Sequence, residues 1–247
     1  MPTIPQVAGI TTAAALAATG AWYYASLAPW STIFGKALRD NRNPETGSPQ
    51  IALTFDDGPN PDWTPQLLDV LARHEIRATF FLIGQYAAAQ PELVRRTHDA
   101  GHLIGNHTWT HPNLAYASAQ KTREELHRTS QQIEQITGEQ VRYFRPAFGY
   151  RRPATFRIAR ELSLIPVTWN AIGNDWTKLS AEGITDHLTN LIHRNDHRGN
   201  TTNAVLHDGS HRSPNMDRSR SVAAADQLIQ RFKPTHKFVT LDEWHKP

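Results

Sequence analysis

Short apolar runs alternate with segments of helical periodicity about seven times between Ile51 and Leu241, and this alternation limits the folds open to the chain. The runs at 78–83 and 204–206 are continuously apolar, which is typical of strands buried on both faces of a parallel sheet. The segments between the runs carry apolar residues on one helical face, as 118–137 does. Such alternation predicts an α/β fold in which helices connect about seven parallel strands.

The predicted elements follow from these patterns and from turn residues at their ends. The predicted strands lie at 51–53, 78–83, 102–104, 141–144, 165–169, 204–206 and 237–241. The predicted helices lie at 64–74, 91–100, 118–137, 153–162, 180–193 and 218–231. If the sheet closes as a barrel, the chemistry belongs at the carboxyl ends of the strands.

The length and composition fit one folded domain without disulfide bonds. The chain has 247 residues, of which 39% are hydrophobic and 20% charged, so a packed core can form. It has no Cys, which excludes disulfides and thiolate chemistry. The net charge of +3 is small and no long basic block or nucleic-acid motif is present, so we expect no nucleic-acid partner.

An uncharged, Ala-rich segment from Val7 to Ala28 precedes the alternating region. It is long enough to span a bilayer, and four aromatic residues cluster near its end, as at a membrane interface: Trp22, Tyr23, Tyr24 and Trp30. We expect a membrane anchor, with a cleaved signal peptide or a buried helix as the alternatives.

The orientation of such an anchor is left open by the charges around it. No Lys or Arg precedes the segment, whereas Lys36, Arg39 and Arg42 follow it, which by the positive-inside rule would leave the remaining chain in the cytoplasm. The predicted organisation is an N-terminal hydrophobic segment at 1–40, an anchor or uncleaved signal, then a linker at 41–50 and a catalytic domain at 51–247. The sequence gives no indication of an oligomeric state.

Two adjacent carboxylates, Asp56 and Asp57, follow the first predicted strand and precede the turn residues Gly58 and Pro59. Successive strand side chains point to opposite faces, so the two would diverge if the strand continued. The turn lets both lie on the rim of a site. Neighbouring carboxylates need a bound cation or a cationic partner, although Asp is also common in ordinary solvated turns.

His107 and His111 lie four residues apart directly after the third predicted strand. That spacing allows both imidazoles to reach one metal ion from a helical turn or a tight loop. The spacing alone is weak evidence in a chain with 13 His, so the position after a strand carries the inference. Two imidazoles and one carboxylate suit zinc and leave a position for water, and Asp57 is the natural third ligand.

Further polar residues follow later strands. Arg145 comes after the fourth strand and could clamp a carboxylate, and Asp175 with Trp176 comes beyond the fifth. His207 directly follows Leu206 at the end of the sixth strand. Each of these alone is as readily a surface or structural residue as a functional one.

Taken in order, five motifs make the sequence similar to the NodB-type polysaccharide deacetylases, carbohydrate esterase family four, over about 51–241. They are Thr54-Phe55-Asp56-Asp57-Gly58-Pro59, His107-Thr108-Trp109-Thr110-His111, Arg145 to Gly149, Asp175-Trp176 and Val205-Leu206-His207. The resemblance implies a distorted (β/α) barrel of about seven parallel strands. It also implies metal-dependent removal of acetyl groups from N-acetylated sugars of a polysaccharide, and a location in the cell envelope, where the N-terminal segment would provide the anchor.

The resemblance implies a role for each motif residue. Asp57, His107 and His111 would hold one divalent metal ion, zinc or alternatively cobalt or nickel. Asp56 would be the general base paired with Arg145, and His207 the general acid oriented by Asp175. A backbone N–H near Phe148 would stabilise the oxyanion, while Trp176 and Leu206 would contact the substrate.

The chain departs from the family pattern at three positions. Ala147 and Phe148 stand where the third motif usually has Pro and Tyr, and Ile172 stands where many members have Asp. Two other functions are alternatives: an amidohydrolase of the same superfamily acting on a small amide or imide, and a non-enzymatic wall-binding protein. The paired base and acid argue against the second, because a binding protein needs neither.

Overall fold

A computed structural model of the chain describes residues 4–41 and 47–245, with side chains described from residue 16 onward. Its strands are β1 Gln50–Gly58, β2 Thr79–Leu82, β3 Leu103–Asn106, β4 Tyr143–Phe144, β5 Ile165–Pro166, β6 Ala171–Ile172, β7 Thr202–His207 and β8 Lys237–Val239. Its helices are α1 Ile4–Leu27, α2 Thr64–Arg73, α3 Gly84–Ala89, α4 Pro91–Asp99, α5 Ala119–Thr137, α6 Pro153–Glu161, α7 Ala181–Asp196 and α8 Ser219–Phe232. Short 3₁₀ turns occupy Ala147–Gly149 and Leu241–Trp244.

All strand pairings are parallel, and the order across the sheet is β5-β4-β3-β2-β1-β7-β6, with β8 paired to the first residues of β1. This is the curled sheet of a distorted (β/α) barrel, so the predicted fold class is confirmed. The predicted strand at 165–169 is shorter in the structure, where β5 covers only Ile165–Pro166. A further short strand, β6 at Ala171–Ile172, was not predicted and lies at the opposite end of the order from β5. Helix α3 was not predicted, because Gly84 to Ala89 is too short to show a clear apolar face.

The hydrophobic core lies between the sheet and the helices. Strand β1 is buried along its whole length, as expected for a central strand of a parallel sheet. Helix α5 shows how the helices cover the sheet, because it buries Leu126 and Ile133. The Ser118 side chain caps its start, and Gly138 follows its last residue, Thr137. Gly138 has a φ of +76°, the left-handed conformation that commonly ends helices.

The N-terminal residues contact the barrel rather than forming a detached segment. The guanidinium of Arg151 is buried and donates to backbone carbonyls of Ser26, Leu27 and Ala28, at the end of α1. Further along, Leu38 forms a parallel bridge with Val167 at the open edge of the sheet. The chain from residue 25 to 41, here called the N-terminal strap, therefore lies against the catalytic region. Residues 42–46 of the predicted linker, which include Arg42, lie outside the described residues.

The expectation of a membrane anchor has no support in the structure. Within residues 4–41 and 47–245, no helix combines the length and the apolar character needed to cross a bilayer. The aromatic residues that suggested a membrane interface contact other aromatic residues of the chain: Trp22 lies 4.9 Å from Phe34 and Tyr23 6.2 Å from Tyr150, centroid to centroid. Thr, Gly and Ser within the segment dilute its hydropathy.

The Arg151 contacts predict how the strap is held. Replacing Arg151 by Met should release the end of α1, because a charged hydrogen-bond donor of this kind contributes about 1.5–3 kcal/mol. Hydrogen exchange of the amides at 25–31 should accelerate while exchange in the core strands stays slow. Arg157→Met, which removes an exposed ion pair with Glu161, is the matched control and should leave these amides protected. Unchanged exchange in Arg151→Met would contradict this account.

Candidate functional site

The carboxyl ends of the strands open into one cavity of 680 Å³, here called the site cavity. This volume lies within the range of about 300–1,000 Å³ that is usual for ligand pockets. Seven of the ten predicted site residues line it: Asp56, Asp57, His107, His111, Phe148, Trp176 and His207. Arg145 and Asp175 lie behind this lining, and each contacts one of the lining residues. Only Leu206 is placed elsewhere.

A β-bulge brings the two adjacent carboxylates to the same cavity. Asp56 keeps the strand register, opposite Phe81 of β2 and His207 of β7, and the register with β2 then shifts before Gly58. Asp57 has a φ of +71°, which is unusual for a residue with a side chain. The strand was expected to end in a turn after Asp57; instead β1 runs on through Gly58, and the bulge redirects the second side chain.

The two metal-ligand candidates His107 and His111 lie on a loop held by buried polar contacts. Asn106 accepts a hydrogen bond from the N–H of Thr108, and buried Glu125 accepts from both the N–H and the hydroxyl of Thr110. Thr108 and His111 have φ angles of +68° and +58°. Of the two geometries that the spacing allowed, the tight loop is the one that occurs.

Asp57, His107 and His111 form a cluster with the geometry of a metal site. The Nε2 atoms of His107 and His111 lie 3.3 and 3.1 Å from Oδ1 of Asp57. Ligands held at about 2.0–2.1 Å in a tetrahedral arrangement are separated by about 3.3 Å, so one cation fits among these atoms. Oδ1 of Asp57 is also buried and accepts no hydrogen bond from the described residues, which suits an oxygen that binds a cation.

The protonation states of this cluster favour cation binding. Burial alone would raise the pKa of Asp57, but contacts with His107, His111 and His211 hold it well below its ordinary value. Burial lowers the pKa of His111, and His107 and His211 lower it further. Nδ1 of His107 donates to the carbonyl of Arg145 at 2.8 Å, which orients the ring with Nε2 facing Asp57. The cluster therefore offers one carboxylate, Asp57, and two imidazole nitrogens that face it.

Asp56 forms a buried ion pair with Arg145. The guanidinium, which is inaccessible to solvent, donates to Oδ1 of Asp56 at 2.6 Å and to the hydroxyl of Thr54 at 2.8 Å. A third donation reaches Oδ1 of Asn203 at 3.2 Å, and the charge lies 4.2 Å from the ring centroid of Phe81. The ion pair holds the Asp56 side chain beside the cluster, with Oδ2 at 3.9 Å from Nε2 of His107.

At the end of the neighbouring strand β7, His207 is oriented by Asp175. Nδ1 of His207 lies 2.7 Å from Oδ1 of Asp175, while Oδ2 accepts from the N–H of His207 and from the hydroxyl of Ser221. Burial opposes a charged imidazole, but Asp175, with smaller contributions from Asp57 and Asp56, raises the pKa of His207 to about 9. With its pKa raised in this way, His207 holds a proton around neutral pH. A divalent cation in the same cavity would lower the pKa of His207.

Two aromatic residues form exposed walls of the cavity. Phe148 is 44% exposed, has a φ of +56° and contacts His111 edge-on at 4.4 Å. Trp176 is 53% exposed and stands perpendicular to the His207 ring at 5.3 Å. In the turn that carries Phe148, the N–H groups of Gly149 and Tyr150 donate to Pro146 and Ala147. No backbone acceptor contacts the N–H groups of Ala147 and Phe148 among the described residues, and the N–H of Phe148 is the one predicted to stabilise an oxyanion.

The prediction that Leu206 contacts the substrate is corrected by the structure. Leu206 is fully buried in the hydrophobic core and does not line the cavity. Side chains alternate along β7, so Asn203, Val205 and His207 share the inner face and Leu206 points away from it. Val205 lines the cavity in its place.

Two residues near the cluster were not assigned from the sequence. The His211 ring stacks on His111 at 4.6 Å and 11°, and its Nδ1 lies 3.7 Å from Oδ2 of Asp57. Asp208 is fully buried, accepts a hydrogen bond from Thr64, and has a pKa raised to about 7, chiefly by burial. His211 follows His207 by four residues, a spacing that the sequence shows but that chance also produces among 13 His.

Comparisons with known proteins identify the family to which this geometry belongs. The family described as "Polysaccharide deacetylase" matches residues 43–167. A peptidoglycan-N-acetylglucosamine deacetylase of Bacillus cereus is 35% identical over 78% of this chain and 66% of its own length. A chitooligosaccharide deacetylase of Sinorhizobium fredii is 35% identical over 74% of this chain and 86% of its own length.

Solved structures agree with the fold. A peptidoglycan N-acetylglucosamine deacetylase in complex with 4-naphthalen-1-yl-N-oxidanyl-benzamide matches with a TM-score of 0.72 and 31% identity, over 84% of this chain and 92% of the other. A family pseudoenzyme of Bacillus anthracis matches with a TM-score of 0.70 and 25% identity, over 80% of this chain and 66% of the other. A similar fold therefore occurs in a protein without activity. Whether a protein of this fold is active must depend on its site residues.

The cluster predicts separate consequences for its two neighbouring carboxylates. Asp57→Asn removes the anionic ligand and should reduce the zinc bound per protein after dialysis, measured by elemental analysis. Asp56→Asn should keep the metal but leave Arg145 buried without its counter-ion, which typically destabilises a protein by about 3–5 kcal/mol in the free energy of unfolding. Asp69→Asn, which opens the exposed pair with Arg96, is the stability control and should change little.

The outcome that contradicts this assignment is loss of metal from Asp56→Asn at a temperature where that variant is folded. Retention of full metal content by Asp57→Asn would contradict it equally.

Proposed function

The chain belongs to the polysaccharide deacetylase family, and on that premise we propose that it hydrolyses N-acetyl groups from N-acetylated sugars of a polysaccharide, using one divalent cation. The observation that carries the proposal is that the Asp57, His107 and His111 cluster shares one cavity with a candidate base and a candidate acid. The base is Asp56, paired with Arg145, and the acid is His207, paired with Asp175. Hydrolysis of an amide needs all three: an electrophile, a base and an acid.

The proposed reaction assigns its two proton transfers to different residues. Asp56 takes a proton from the attacking water, whose oxygen bonds to the acetamide carbonyl carbon. The N–H of Phe148 donates to the oxygen that becomes negative. His207 then gives its Nε2 proton to the nitrogen as the carbon–nitrogen bond breaks, releasing acetate and a free amino sugar.

The cation suited to this site is zinc, with cobalt or nickel as alternatives, since the donors are two imidazoles and one carboxylate. When bound, it would polarise the acetamide carbonyl and lower the pKa of the attacking water. The chain's own contribution is to hold its ligands in one charge state and to exclude a competing proton from them, as the lowered pKa values of Asp57 and His111 indicate.

The substrate class is supported by the relatives. The two curated relatives act on peptidoglycan and on chitooligosaccharides, which share N-acetylated glucosamine units. We propose a polymer of this chemistry as substrate and the cell envelope as its location. The exposed aromatic walls, Phe148 and Trp176, suit the apolar faces of a sugar and the acetyl methyl group.

Acetate release tests the proposal directly. The purified protein should release acetate from N-acetylglucosamine oligomers or from peptidoglycan, lose this activity in a strong chelator and regain it with zinc or cobalt. Small amides and cyclic imides serve as the comparison, because an amidohydrolase of small substrates would prefer them. Full acetate release in chelator, with no metal detected, would refute metal dependence, and binding without hydrolysis would indicate a wall-binding protein.

Loss of the base should slow turnover without removing substrate binding. Asp56→Asn cannot accept the proton of water, so its kcat should fall by about 10²- to 10⁴-fold, measured by acetate release at a temperature where it is folded. Asp69→Asn, remote from the cavity, should match the wild type. A kcat in Asp56→Asn within a factor of two of the wild type would exclude Asp56 as the base.

The Asp175–His207 pair predicts the alkaline limb of the pH profile. His207 acts in its protonated form, so activity should decline as pH rises through its pKa. Asp175→Asn removes the charge that raises this pKa, while burial still lowers it, so the alkaline limb of kcat/KM should move to lower pH. Ser221→Ala keeps the carboxylate and should leave the limb nearly in place. An unshifted limb in Asp175→Asn would contradict the assignment.

A further inference from the structure

The N-terminal strap, residues 25–41, forms part of the wall of the site cavity. Leu27, Pro29 and Trp30 line that cavity together with Asp57 and Trp176. None of the five sequence motifs includes these residues, and the proposed reaction does not use them. The strap therefore needs its own physical explanation.

The strap is fixed to the same turn that carries Phe148. Besides its bonds to the end of α1, Arg151 donates to the carbonyl of Gly149 at 2.8 Å. On the other side of the strap, the hydroxyl of Thr168 donates to the carbonyl of Pro29 at 3.0 Å, and its N–H donates to Leu38 at 2.9 Å. Both flanks of Trp30 are thus tied to strands and turns of the barrel.

Trp30 itself is held in place yet is not buried. Its ring is 61% exposed, and its Nε1 donates to the hydroxyl of Tyr24 at 2.9 Å. An exposed Trp gains little from core packing, so a fixed and exposed indole at the edge of a cavity indicates a contact surface. Flat aromatic surfaces suit the C–H faces of pyranose rings, which are apolar, while the hydroxyls of the sugar stay in water.

A second cavity of 620 Å³ adjoins the first at this point. Pro29 and Trp30 line both cavities. The second cavity continues along the strap past Lys36 and Arg39, and Trp244 from the C-terminal part of the chain also lines it. The indole therefore stands on the ridge between the space that contains the catalytic residues and a further groove. A linear polymer with one sugar in the first cavity would cross Trp30 to enter the second.

We propose that Trp30 is a stacking platform for a neighbouring sugar of the polysaccharide, so that the N-terminal strap adds a binding subsite to the barrel. This inference rests on the proposed function and extends it, because it assigns the strap a preference for oligomers over single sugars. The platform binds a sugar that does not react, and it acts on binding of long substrates rather than on the chemical step.

The test is a comparison of substrate lengths. Acetate release is measured on N-acetylglucosamine oligomers of one to six sugars for the wild type and Trp30→Ala. The kcat/KM for the longest oligomers should fall by about three- to tenfold, as expected for loss of an aromatic contact, with the value for the shortest reactive oligomer unchanged. Trp30→Phe should keep most of the preference. Ile33→Ala is the matched control, because Ile33 lies on the strap, is 64% exposed and lines neither cavity.

Equal losses on all lengths would overturn the platform, and so would no loss on any length. Equilibrium binding of oligomers of one to six sugars, measured by calorimetry on metal-free protein, separates this inference from the proposed function. If binding depends on length and Trp30→Ala weakens it, while the protein supplied with zinc releases no acetate, the deacetylase activity is refuted and the platform is supported. Absence of oligomer binding in the wild type would overturn the platform.

Discussion

The structure depends on how it neutralises carboxylates that are buried together at the end of β1. A buried carboxylate without a partner is strongly destabilising, and four of them surround this cavity: Asp56, Asp57, Asp175 and Asp208. Each is compensated differently, by the Arg145 guanidinium, by the imidazole cluster with its place for a cation, by His207, and by a pKa near 7 that allows a proton. These different compensations give neighbouring acids distinct chemical tasks.

The backbone around the cavity is held in conformations that side chains seldom adopt. Asp57, Thr108, His111 and Phe148 all have positive φ angles, at a cost of about 1–3 kcal/mol each. Regular strand or helix geometry would direct these side chains away from one another. Buried contacts from the surrounding elements, such as those of Asn106 and Glu125 with the His loop, keep the strained positions in place.

The N-terminal region shows how one composition fits two physical roles. An uncharged helix followed by aromatic residues is typical of a membrane interface, yet the same aromatic residues contact one another and the rim of the cavity. Arg151 holds the end of α1 against the barrel, because its buried guanidinium has its partners among the carbonyls at the end of α1 and in the Phe148 turn. A single charged side chain thus ties the strap to the site.

The sequence by itself determined the parallel α/β fold, because apolar runs and amphipathic segments are local patterns with a local physical cause. It also determined which residues gather at the site, since parallel strands place their carboxyl ends at one edge, and Asp57, His107, His111 and His207 do meet there. The tertiary structure decided the rest. The bulge at Asp57, the inward face of β7 that excludes Leu206, the stacking of His211 and the docking of Trp30 all depend on contacts between residues distant in the chain. Such contacts leave no periodic signal, because burial and backbone strain are set by neighbours that only folding brings together.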